Sequence, residues 1–322
     1  MNALKSYTEF IDFELGKMNF PNSPVELYDP LRYFMTLGGK RIRPILTLLG
    51  NEMFGGSKQT AIPQALSMEV FHNFSLIHDD IMDAAPVRRK QPTVHEKWNP
   101  NIAILSGDVL LIKAYQLLSE SSPEILPEVL NLFNTTAVEV CEGQQMDMNF
   151  ESRHDVTISE YIEMIRLKTS VLLGASLKMG ALVARASEEN QQYIYDFGQN
   201  IGIAFQIQDD ILDLYADPDK FGKQVGGDVI ANKKTLLYLT AVSKVTLEQK
   251  EILKQLHNEQ DIGLKVKRTR ELFDHLQVRQ ACKQMMHNYY DTAMDSLEKI
   301  AINDKHKATL IALAEFLIQR DN

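Results

Sequence analysis

Residues 63–83 read PQALSMEVFHNFSLIHDDIMD, an apolar stretch that ends in three aspartates. Leu66, Val70, Phe74 and Ile77 recur at spacings of three and four and Pro63 suits a helix first turn, so the pattern predicts a helix. On that helix Asp79 and Asp83 share a face, Asp80 lies beside them, and His72 sits two turns back on the same face. Carboxylates so placed repel one another and resist burial; they are solvated, paired, or neutralised by a hard cation that prefers oxygen. No cysteine lies near, which argues against zinc and for Mg2+. Mg2+ takes one or two carboxylates and completes its shell with water and substrate phosphates, so the turn implies a phosphate-bearing ligand. Taken alone, it reads equally as an exposed acidic helix turn.

It is repeated, however. Residues 205–213 read FQIQDDILD, with Asp209 and Asp210 adjacent, Asp213 four positions after the first, and apolar residues ahead. Two such helix faces set opposite each other would hold a cluster of cations between them.

Composition narrows the alternatives. The 322 residues contain no Pro/Ser/Gly-rich linker or charge run to mark a boundary, so one domain spanning 1–322 is expected. With 44% hydrophobic and 24% charged residues the chain has the make-up of a soluble globular protein, and a formal charge of -9 argues against a dedicated nucleic-acid binder. No apolar run approaches the roughly 18 residues of a membrane span and the N-terminus lacks a secretory hydrophobic region, so a cytoplasmic location is expected. Cys141 and Cys282 give no disulfide framework.

Residues 3–17 read as a helix with Tyr7, Phe10, Ile11 and Leu15 on one stripe, broken at Pro21 and Pro24. Asp29-Pro30 reads as an N-cap and first-turn proline opening LRYFMTL, which stops at Gly38-Gly39. GGKRIRP, residues 38–44, then sets Lys40, Arg41 and Arg43 beside a glycine pair, a composition that suits a phosphate grip or, alone, a solvated basic turn. After Asp83 the chain breaks at Ala84-Ala85-Pro86 and presents Arg88 and Arg89, placed to neutralise a metal-bound diphosphate. Residues 101–119 form an apolar helix for a core or a subunit interface, and a helix from 135 carries Gly143, Gln144 and Asp147. Residues 158–184 are helical, small residues follow Lys168-Thr169, and Lys168 by itself reads as reaching for solvent. The second acidic set lies on a helix over 196–215, with Gln206 one turn before Asp210. A Gly-containing loop with Lys223, Asp228, Lys233 and Lys234 follows, suited to act as a lid over a polyphosphate. From 246 onward the chain reads as amphipathic helices, and nowhere do strands alternate, so the fold is expected to be all-α.

From GGKRIRP to about Leu237 the chain resembles the polyprenyl synthetase family, the trans-isoprenyl diphosphate synthases. GGKRIRP, HNFSLIHDDIMDAAPVRR, GQQMD, KTS, FQIQDDILD and GKQVGGD stand in the family's order, and FLIQR resembles its C-terminal end. The resemblance implies an antiparallel helix bundle around a deep central cavity, and a likeness to the family's homodimers. It implies that Asp79, Asp80, Asp83, Asp209, Asp210 and Asp213 hold about three Mg2+ ions against an allylic diphosphate. It assigns Lys40, Arg43, His72 and Arg89 to isopentenyl diphosphate, and Arg88, Lys168, Thr169, Gln206, Lys223 and Lys233 to the allylic diphosphate or the cation developing beside it. The implied reaction ionises an allylic diphosphate (dimethylallyl, geranyl or farnesyl), adds isopentenyl diphosphate head to tail and loses a proton, giving an all-trans product. Phe74, five residues before Asp79, with Ser75 beside it, is the expected floor for the growing tail; with the compact DDxxD it points to geranylgeranyl diphosphate, with farnesyl diphosphate as the alternative. A class I terpene cyclase and a non-catalytic partner subunit are the rival readings; the complete second acidic motif and the complete Lys/Arg set argue against them.

Overall fold

The computed structural model describes residues 2–216 and 225–318, which are helical almost throughout. They divide into two compact units, residues 1–135 with 175–195 and residues 136–174 with 196–322. The first acidic turn belongs to the former and the second to the latter.

In the first unit the acidic helix runs Ile62–Met82, with Pro63 in its first turn as expected. It is more deeply placed than one apolar stripe suggests: every residue from Gln64 to Phe71 is buried, while Phe74 is only half-buried. It packs most extensively on Pro100–Leu118 and next on Ile42–Met53. Phe71, Ile77, Leu110, Leu118 and Phe133 are among the fully buried side chains there. The helix expected to open at Asp29-Pro30 opens earlier, as Val25–Thr36, with Pro24 at its N-cap. Pro30 lies inside it, and Asp29 accepts from Arg32 instead of capping.

Between the acidic helix and Pro100–Leu118 the chain makes a two-stranded hairpin, Val87–Arg88 with Gln91–Pro92, antiparallel with Val87 opposite Pro92. Arg89 and Lys90 form its turn at φ 52° and 66°, the left-handed pair that a two-residue hairpin turn requires. Holding two non-glycine residues there is a strain typical of functional loops.

In the second unit Ile203, Ile207, Ile211, Tyr161, Leu236 and Phe273 share one buried cluster. The helix expected from 135 begins earlier, as Leu126–Ser152. The one expected over 158–184 is present, opened by a Thr157/Glu160 capping box and interrupted by a π-helical turn at Arg166–Ser170. The helix bearing the second acidic set is Glu188–Tyr215. Among the described residues Pro100–Leu118 alone is long and apolar enough to cross a membrane, by length and composition only, a test that a core helix also passes.

Candidate active site

The first acidic turn closes the helix Ile62–Met82, with Asp83 as C-cap residue. Asp80 is 2% exposed and is held by Arg88: Nε lies 2.8 Å from both carboxylate oxygens and Nη2 2.8 Å from Oδ1. Burial raises the Asp80 pKa, and Arg88 works against that rise. Asp79 is half-buried and Asp83 exposed, so two of the three carboxylates border solvent.

Beside this turn stands a cluster of arginines. Arg89 donates to the Gly38 carbonyl, and a Cβ on Gly39 would stand 2.9 Å from its guanidinium, so the glycine pair seats an arginine. Burial lowers the Arg43 pKa to about 10, and its buried Nε has no hydrogen-bond partner. Burial, then Arg43 and Arg89, hold His72 well below its ordinary pKa, which makes it a neutral imidazole among cations. Arg41, a member of the basic run, does not serve as a grip: it is a strut, with Nε on Asp12 at 2.9 Å and Nη1 on the buried Glu69 at 2.6 Å. Lys40 is exposed.

In the second turn, among the described residues, neutral donors meet the buried carboxylate. Asp210, 4% exposed, accepts from Tyr161 Oη at 2.5 Å, the Leu236 amide at 3.2 Å and, at a long 3.4 Å, Gln206 Nε2. Desolvation pushes its pKa up to about 7 despite the Tyr161 hydrogen bond. Asp213 accepts the Asp228 amide at 2.9 Å, and Asp228 is pushed up to about 6 by burial and then by the Asp213 charge. Lys233 lies 3.9 Å from Asp228 and is 61% exposed. Asp209, Asp213 and Thr169 are half-buried. A cavity of about 40 Å³ adjoins this turn, lined by Asp210, Asp213, Asp228, Lys233, Leu237 and Phe273.

Lys168 does not reach for solvent as its isolation suggested: its Nζ lies 2.5 Å from Asp147. Phe74 stacks edge-on to His78 at 4.7 Å and tilts against Phe71 at 5.6 Å. Lys223 lies outside the described residues. Sequence reasoning missed Tyr161, whose partner lies 49 residues away, and Glu69, a glutamate inside an apolar helix. The latter had a signal, since a carboxylate amid buried residues calls for a cation.

Among the described residues no group of three or more His, Cys, Asp or Glu side chains converges as a ready-made metal site. The donor set nevertheless fits Mg2+. Every donor is a carboxylate, each turn sets half-buried or exposed carboxylates beside an anchored one, and Mg2+ draws its remaining ligands from water and phosphate.

Residues 24–276 match the polyprenyl synthetase family. The geranylgeranyl diphosphate synthase of Methanosarcina mazei is 41% identical over 246 residues, 76% of this chain and 76% of its own. The solved geranylgeranyl pyrophosphate synthetase of Pyrococcus horikoshii Ot3 superposes with a TM-score of 0.93 at 36% identity, covering 99% of this chain and 98% of its own. A polyprenyl synthase from Caulobacter crescentus CB15, solved with calcium and isoprenyl diphosphate, gives a TM-score of 0.83 at 25% identity over 100% and 96% of the two chains. Relatives at 36–38% identity also include geranylfarnesyl diphosphate synthases. The all-α architecture is that of these prenyl synthases.

Proposed function

The chain belongs to the polyprenyl synthetase family of trans-prenyltransferases, and we propose that it condenses isopentenyl diphosphate with allylic diphosphates to make geranylgeranyl diphosphate. The observation that carries this reading is the pair of DDxxD turns, each with one carboxylate anchored in the protein and its neighbours half-buried or exposed. Mg2+, about three ions, would be held by Asp79, Asp83, Asp209 and Asp213, with Asp80 and Asp210 fixing the two turns. Bound there, the ions supply positive charge for the departing diphosphate.

The residues divide the remaining work by their chemistry. Arg43, Arg89 and Lys40 bind the diphosphate of isopentenyl diphosphate; the Arg43 guanidinium, whose buried Nε lacks a hydrogen-bond partner, gains one when an anion arrives. Neutral His72 donates a hydrogen bond there without adding to the arginine repulsion. Arg88 and Lys233, with Lys223, hold the allylic diphosphate, and Arg88 keeps Asp80 in place at the same time. Lys168, Thr169 and Gln206 face the electron-deficient allylic carbon with carbonyl, hydroxyl and amide oxygens, which stabilise a cation by their dipoles without capturing it. The proton lost after carbon-carbon bond formation goes to the released diphosphate, so no nucleophile or His/Asp dyad is required. Apolar walls keep water from the cation.

Two further parts belong to the proposal. A homodimer is supported by Ile104, Leu105 and Ile112, which are exposed on Pro100–Leu118, and light scattering tests it. A cytoplasmic location suits water-soluble diphosphate substrates. The activity is tested by incubating the protein with Mg2+, isopentenyl diphosphate and, separately, dimethylallyl, geranyl and farnesyl diphosphate, then separating products by length. Accumulation of the 20-carbon product from all three is expected. Unconsumed isopentenyl diphosphate would refute the activity, and a product ending at 15 or 25 carbons would refute the assigned length.

A further inference from the structure

Between Ile158 and Val183 the chain departs from regular α-helix at one place, the π-helical turn Arg166–Ser170, and that turn carries Lys168 and Thr169. Such turns are rare and concentrate at functional sites. What seats this one is visible in its neighbours. A Cβ on Gly143, in Leu126–Ser152, would lie 2.2 Å from the Lys168 amide nitrogen and 2.7 Å from its Cα. A Cβ on Gly202, in Glu188–Tyr215, would lie 2.7 Å from Ser170 Cα and Cβ and 2.9 Å from its Oγ. Both glycines sit inside helices, where alanine is preferred by about 1 kcal/mol, so local propensity does not explain them. The space does: neither place admits a methyl group.

The same helix that receives the Lys168 backbone also holds its side chain. Asp147, four residues after Gly143, pairs with Lys168 Nζ at 2.5 Å. Ser170 Oγ donates to the Ile165 carbonyl at 3.1 Å, a reach of five residues that ties the wide turn together.

We propose that Gly143 and Gly202 are positioning residues of the condensation. By letting two helices approach the π turn backbone to backbone, they set where Lys168 and Thr169 meet the allylic carbon. The inference rests on the function proposed above. It assigns two glycines on separate helices to one task, the placement of a turn neither of them belongs to.

The test compares Gly143→Ala and Gly202→Ala with Gly50→Ala, whose added Cβ would meet the Leu177 carbonyl at 2.3 Å in a helix contact that involves neither Lys168 nor Thr169. Single-turnover condensation rate, KM for both diphosphates and Tm are measured for each. Gly143→Ala and Gly202→Ala are expected to slow the single-turnover step on the order of 10²-fold, the cost of misplacing a reacting group by about 1 Å. Their KM values are expected to stay within about twofold, since an interaction made in the transition state has moved. Gly50→Ala is expected to lose comparable Tm while keeping its rate. Wild-type rates in the first two variants, or an equal loss in Gly50→Ala, would overturn the proposal. If the glycine variants do not fold, Ser170→Ala decides: it frees the five-residue tie without adding volume and is expected to lose about fivefold in the same rate, the worth of one hydrogen bond. An unchanged rate there would overturn the proposal too. An inactive wild type would instead overturn the function on which it rests, so the two failures are distinguishable.

Discussion

The two acidic turns share a sequence pattern and differ in how their buried carboxylate is stabilised. Asp80 is met by a guanidinium with three contacts at 2.8 Å, so the first turn is charge-balanced by the protein. Asp210 is equally buried yet, among the described residues, is met by the neutral donors Tyr161, the Leu236 amide and Gln206, and its neighbour Asp228 adds repulsion. One turn carries its own cation; the other holds negative charge that a proton or an incoming cation must relieve. The same five-residue motif thus describes a ligand pattern and leaves the electrostatics to residues far along the chain.

The largest effect expected from this contrast is on turnover. Asp79→Ala and Asp209→Ala should each lower kcat by at least about 10³-fold, because each removes several kcal/mol of charge stabilisation from the departing diphosphate. Circular dichroism should show the helices intact in both. Near-normal turnover in either would remove that turn from the metal site.

Stability separates the two turns more finely. Arg88→Gln strips a 2% exposed carboxylate of its cation and should cost about 2 kcal/mol in denaturant unfolding, below the usual figure for a fully buried pair because Arg88 is itself 26% exposed. Tyr161→Phe removes one neutral donor and should cost about 1 kcal/mol. The reverse order would mean that the second turn, not the first, is the one the protein neutralises internally.

A pH series reads the contrast directly. In EDTA-treated protein, Asp210 at about 7 and Asp228 at about 6 hold protons that the unfolded chain has released at its ordinary carboxylate pKa near 4. Between those values the folded state binds more protons than the unfolded one, so these two groups subtract stability as pH rises from about 4 to about 7. Asp210→Asn should lose less stability over that window than wild type does, and parallel curves would contradict the assignment. The smallest effect concerns product length. Five residues ahead of the acidic pair the first turn has Phe74 and the second Ala204, and Phe74→Ala should lengthen the product with little change in rate. An unchanged product would remove Phe74 as the floor.

The parts legible in the sequence were those with local patterns. The acidic turns, the basic run before Ile42 and the all-α class each rest on spacing within one or two helical turns. Asp29-Pro30 was misread because a cap signature is short, and the helix had already begun at Val25 behind Pro24. Residues 101–119 were legible as an apolar helix, although Asp108 and Lys113 interrupt the run and hide that its mean hydropathy over 18 residues matches that of a span. Lys168 looked solvent-bound until Asp147, 21 residues back, was placed beside it. Tyr161 on Asp210 and the two glycines at the π turn are contacts between helices, and nothing in a single strip of sequence encodes them.

The proposed function has the carboxylates of the two turns acting through divalent ions on a diphosphate substrate. The most direct test is the initial rate of isopentenyl diphosphate incorporation into farnesyl diphosphate as free Mg2+ is raised from zero in an EDTA buffer. No turnover is expected without the ion, with a rise steeper than first order in Mg2+ that flattens to a shallower dependence in Asp209→Ala. Full turnover in EDTA would contradict it.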